Sequence, residues 1–98
     1  MLVERTPDNI TIVAIKLVTG EEIIARQLST SGDTMMISRP LAMVMAENPD
    51  NPSQTRVMFT PWMVAAGKDS LVIKMAHVMA VCKAREDAAD QYEQAING

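Results

Sequence analysis

The chain has 98 residues, 48% of them apolar, 21% charged and only 3% aromatic, with a formal net charge of −3. One small core is all that such a length can fill, so a second domain is excluded, and the apolar share is that of a globular chain. Residues 84–98 set Arg85 against Glu86, Asp87, Asp90 and Glu93, whereas residues 1–83 hold eight basic and eight acidic side chains, so the body lacks the cationic excess that grips phosphates broadly.

Residues 1–10 read as an N-terminal extension. Thr11–Val18 is rich in β-branched residues, with Val13, Ile15 and Leu17 on one side and Lys16 on the other, which predicts a strand. Thr19-Gly20 turns the chain, and Glu21–Leu28 returns as its antiparallel partner. "STSGD" at 29–33 is a second turn, followed by Met35, Met36, Ile37, Leu41, Met43, Val44 and Met45 in one long or bent strand. Pro40 donates no ladder hydrogen bond and is expected at a bend, bulge or edge.

"ENPDNPSQT" at 47–55 is the most loop-like stretch and is expected to divide the chain into two halves. Strand character resumes over Arg56–Val64, "AAGKDS" turns, and Leu71–Met75 and Val78–Lys83 give the last apolar runs. From Ala84 the period changes to 3.6. Ala88, Tyr92, Ala95 and Ile96 share one helical face, and Glu86 and Asp87 occupy a first turn where they complement the helix dipole. A helix this short is marginal alone, so it is expected to dock on the barrel or on a neighbouring subunit. The domains are thus an extension (1–10), a mainly β barrel (11–83) and an acidic C-terminal helix (84–98).

Chemistry is sparse. His77 and Cys82 lie five apart, on opposite faces if one strand holds both; His77 reads as a turn or interface residue and Cys82 as a small buried hydrophobe. Glu21 and Glu22 point to opposite sides of a strand and read as solvated hairpin charges. The glycines never take a phosphate-cradling spacing. No catalytic residue, metal ligand or cofactor site is expected, and the chain reads as a non-enzyme. Trp62, beside Pro61 and among Met58, Phe59 and Met63, reads as a core or interface anchor, with stacking on a base as the alternative. The nine methionines read chiefly as soft core filler and secondarily as a forgiving subunit interface. No run reaches the roughly 18 apolar residues of a membrane span. "MLVERTPDN" lacks a secretion pattern and Cys82 is the only cysteine, so a cytoplasmic protein without an internal disulfide is expected.

One order of motifs goes further: Leu17-x-x-Gly20, a long bent strand, a variable loop, then Ile73-Lys74-Met75-x-His77-Val78-x-x-Val81. Over about residues 12–83 this resembles the Sm/LSm-like family, whose second motif reads Ile-Arg-Gly before a short closing strand. "KLVTGEEII", "HVMAV" and the acidic tail are also similar to small Sm-like proteins of bacteriophages, of the cyanophage type in particular. The resemblance implies a strongly bent five-stranded antiparallel barrel, SH3-like, whose open edges join copies of the chain into a homo-oligomeric ring of about five to seven subunits. It also implies a site for single-stranded RNA, altered here: "GDTMMIS" keeps Asp33 and Met36 but has Ile37 where the family's base-contacting Asn stands, and Lys74-Met75 replaces Arg-Gly. The family's terminal helix usually precedes the barrel, and residues 56–70 exceed its usual connection. Asp33, Lys74 and His77 are the RNA-binding candidates; Trp62, Leu71, Ile73, Val78, Met79 and Val81 are the interface candidates. The rival expectation is a structural ring of phage origin whose Trp62 region and acidic tail engage a protein partner and never touch RNA.

Overall fold

The computed structural model describes residues 10–63 and 65–97; nearly all of the expected N-terminal extension lies outside them. Strands β1 (Thr11–Leu17) and β2 (Glu22–Ser31) form the predicted hairpin, in register from Lys16↔Glu22 to Thr11↔Gln27. The turn closes through Leu17 N–H to Glu21 C=O (2.8 Å) and Gly20 N–H to Leu17 C=O (2.9 Å), with Gly20 at φ 99°. A Cβ at Gly20 meets nothing within 4 Å, so its requirement is purely one of backbone conformation. Gly20→Ala is expected to destabilise the fold by roughly 1–2 kcal/mol. In thermal unfolding that is a midpoint lower by about 4–8 °C for each kcal/mol; an unmoved midpoint would count against this turn geometry.

β3 (Thr34–Asn48), β4 (Asn51–Pro61), β5 (Ser70–Lys74), a 3-10 turn (Met75–His77), β6 (Val78–Lys83) and helix α1 (Glu86–Asn97) complete the chain. All ladders are antiparallel, in the order β4-β3-β2-β1-β6 with β5 also on β3. β3 pairs with β2 along one edge, and its other edge carries two strands in succession: β5 on Thr34–Ser38 and β4 on Leu41–Asn48. Six strands therefore fill the five positions of the expected barrel, the fourth being interrupted by residues 62–69.

The interruption coincides with a bulge. The β2 register passes from Ile24↔Leu41 to Arg26↔Ser38, so Ala25 alone faces Arg39 and Pro40. Arg39 takes φ 51°, a strained value for a side-chain-bearing residue. Pro40, lacking an N–H, sits where no ladder bond is asked of it. Beyond the bulge, β3 and β4 form a two-stranded arm, and the molecule measures 53 × 30 × 26 Å.

The expected dividing loop at 47–55 is corrected. Only residues 49–50 turn, and the flanking segments pair instead of parting the chain. Asn48 Oδ1 accepts from Asp50 N–H (3.0 Å) and Asn51 Oδ1 from the Ser53 hydroxyl (2.7 Å), which ties the turn locally. Pro52 is accommodated because the ladder slips there, from Asn48↔Asn51 to Glu47↔Thr55.

Two apolar clusters hold the fold. Val13, Ile15, Leu17, Ile23, Ala25, Met35, Ile37 and Ile73 fill the barrel. On the outer face of β2, Ile24 packs with Ala84 and Tyr92 beneath α1. Ile23, Ile24 and Ala25 are consecutive and fully buried because β2 is covered on both faces. The helix thus docks on its own barrel, through Ala88, Ala89, Tyr92 and Ile96; Ala95, expected on that face, is exposed, because the 88-92-96 row turns it outward. Two further expectations are corrected. Among the described residues Met35 is the one fully buried methionine, whereas Met36, Met45, Met58, Met63 and Met79 are exposed on outer faces and edges. Cys82 is exposed, since nothing described covers its side of the end strand β6.

Candidate functional site

Lys74 closes β5, and the 3-10 turn that follows crosses from the β3 side of the barrel to the β1 side. It is held at both ends. Met75 N–H donates to Asp33 C=O (2.7 Å), and Val18 N–H donates to His77 C=O (2.9 Å). The turns after β1 and β2 and the turn after β5 are thereby joined, which brings Asp33, Lys74 and His77, all exposed, to one rim. His77 lies in the turn itself and not on the β6 strand that carries Cys82.

Beside this rim, Leu17, Val18, Glu21, Trp62, Val72, Lys74 and His77 line an open cleft of about 440 Å³ with Ile73 at its wall. Asp33 stands outside the cleft lining. Glu21, read from sequence as a solvated charge, is exposed yet faces this cleft, with its carboxylate accepting from the Thr19 hydroxyl at 3.3 Å. The only sequence signal for that placement is Glu21's position directly after the turn glycine. Charge at the rim is mixed: Lys74 contributes a cation, and Asp33 and Glu21 contribute carboxylates. Among the described residues, no group of three or more His, Cys, Asp or Glu is arranged to hold a metal ion.

The interface candidates separate. Ile73 is 8% exposed and belongs to the barrel core. Leu71, Trp62 and Val78 are half-buried and pack against that core. Met79 (65% exposed) and Val81 stand at the surface on β6, as does Val72 (55% exposed) on β5. Among the described residues nothing pairs with the outer edges of β4, β5 or β6.

A second cleft, of about 470 Å³, opens between the arm and the start of α1, lined by Ile24, Met43, Val57, Phe59, Ala84 and Ala88. Above it, Arg85 grips Asp87 (Nη2–Oδ2 2.7 Å). That hydrogen bond, with one from Ala88 N–H, holds the Asp87 carboxyl below its ordinary value.

A small bent antiparallel barrel, left open between β5 and β6 and backed by a C-terminal helix, defines the class. The chain belongs to the Sm-like family, for the model of the Sm_like domain matches residues 14–93. The match runs through most of α1, beyond the span that the motifs alone cover. Members of this family are generally non-enzymatic, commonly form oligomeric rings and often bind RNA. No curated protein matches the chain. No described helix is long and apolar enough to cross a membrane.

Proposed function

We propose that the chain is a non-enzymatic subunit of a cytoplasmic homo-oligomeric ring, of the phage type its motifs resemble, that holds single-stranded RNA at Asp33, Lys74 and His77. The ring is supported by one observation above the others: among the described residues the barrel edges β5 and β6 are unpaired, and each carries exposed apolar side chains. Unpaired edges of this kind invite another strand, and a head-to-tail union of β6 with β5 of the next copy closes when the rotation per subunit divides the circle. The RNA site is supported by the backbone bonds that gather its three residues. Each added subunit brings one more Lys74 to the same rim together with the Asp33 and Glu21 carboxylates, so phosphate contact rests on Lys74 itself and not on a net positive field.

Light scattering at micromolar concentration is expected to give about five to seven times the 10.7 kDa chain mass; a mass of 10.7 kDa overturns the ring. With labelled oligo-uridine, anisotropy is expected to show binding that weakens with salt. Lys74→Ala should reduce the logarithmic salt slope by roughly 0.7 for each phosphate that is no longer neutralised. An intact ring that binds nothing at low salt overturns the RNA part and leaves a protein-binding ring.

A further inference from the structure

We infer that the β3–β4 arm, Leu41–Pro61, is a strap that lies on the neighbouring copy of this chain in the assembly. The inference rests on the ring reading above and adds a second contact to it, made by side chains that the barrel edges do not include.

The topology supplies the direction. β5 and β4 occupy one edge of β3 in succession, so the free edge of β5 continues in line into that of β4. A neighbour whose β6 runs antiparallel to β5, as every ladder in this sheet runs, points from Val78 near Lys74 towards Lys83 near Ser70, and onward to the arm. The start of its α1 then falls beside the barrel end of β4.

Size argues the same way. β5 has five residues and β6 six. Strands that short are about 17–20 Å long, and one such ladder covers far less than the roughly 800 Å² per partner of a stable interface. The arm offers the missing area. Met45↔Val57 and Val44↔Met58 are cross-strand pairs, one on each face, and all four side chains are exposed, Met45 by 67%. Among the described residues none of these four side chains joins either core cluster, and apolar pairs exposed on both faces of a two-stranded ribbon are ill placed in water.

The base of the arm is also fixed in advance. Tyr92 of α1 donates its hydroxyl to Arg39 C=O (2.7 Å) and lies 3.1 Å from Ser38 C=O, and Arg39 N–H donates to Asp69 C=O (2.7 Å). These contacts clamp the bulge from which the arm departs, so its direction is set before a neighbour arrives and less ordering is required on association.

The test uses the full chain with paired substitutions, Met45→Glu with Val57→Glu and Val44→Glu with Met58→Glu, and the milder serine versions of each in case charge disturbs folding. Circular dichroism and the melting midpoint monitor the fold, and mass photometry over a dilution series monitors the assembly. A folded variant of at least one pair is expected to fall apart at a concentration tenfold or more above that of the unaltered chain. Folded variants of both pairs that resist dilution as the unaltered ring does would overturn the strap and leave the ring standing. An unaltered chain that is monomeric throughout overturns the ring reading, and the strap with it.

Discussion

Tyr92→Ala is expected to remove roughly 3–5 kcal/mol of stability, the usual loss when a buried aromatic is cut to alanine. A domain of this size has only about 5–15 kcal/mol in all, so chemical denaturation should show a midpoint close to the onset of unfolding. Tyr92 is fully buried, the largest side chain in the cluster that binds α1 to β2. Its hydroxyl also ties the strained Arg39–Pro40 bulge. Tyr92→Phe isolates that second role: it should cost about 1 kcal/mol, because partly buried carbonyls lose their donor. Adding Arg39→Gly, which relaxes the backbone there, should recover part of the loss.

The same hydroxyl gives a pH signature. Burial raises its pKa above the ordinary 10, with Arg26 and Arg39 nearby opposing the shift. The folded state therefore keeps the proton longer than the unfolded one. Its contribution is complete below about pH 10 and is lost as pH rises through the raised value. Tyr92→Phe should flatten that alkaline loss, as read by melting midpoints between neutral and strongly alkaline pH; an unchanged slope would show that another group carries it.

For the proposed ring, Val72→Glu and Met79→Glu are each expected to reduce the particle to a single chain. Val72 and Met79 are the most exposed apolar side chains of β5 and β6 respectively. A carboxylate on either edge would be trapped at the seam without a partner, at a penalty repeated at every junction of the ring. Neither residue contributes to the barrel core, so the melting midpoint of the monomer should stay within the ordinary range for surface changes. Sedimentation that still reports the full ring for both variants would remove the seam from these two edges.

Local signals carried much of this fold. The Thr19-Gly20 turn, the bounds of β6, the bulge at Pro40 and the acidic first turn of α1 each depend on a few neighbouring residues, and each is where the sequence places it. The arm was not legible, because two prolines and three side-chain amides between residues 48 and 54 have the composition of a loop. Pairing survives there only through a slipped register, which composition does not reveal. Cys82 and the methionines misled for a related reason: their chemistry favours burial, but burial is decided by what covers a strand, and the outer side of β6 has nothing described upon it. Motif order pointed to Asp33, Lys74 and His77, but the one rim they share is set by the backbone bonds between turns, which motif order does not give. The clasp from Tyr92 to Arg39 joins residues 53 apart in sequence, and the approach of Glu21 to Trp62 depends on how the barrel curls; no periodicity encodes either.

Pro52 and Pro61 stand near the two ends of β4, and neither has a backbone N–H to give. A ribbon whose rim is silent at both ends is a poor template for endless accretion of identical ribbons, the route by which exposed strands grow into fibres. Growth by that route is hindered at β4, whereas β5 and β6 carry no proline. The prolines that disguise this segment as a loop thus favour finite particles over filaments.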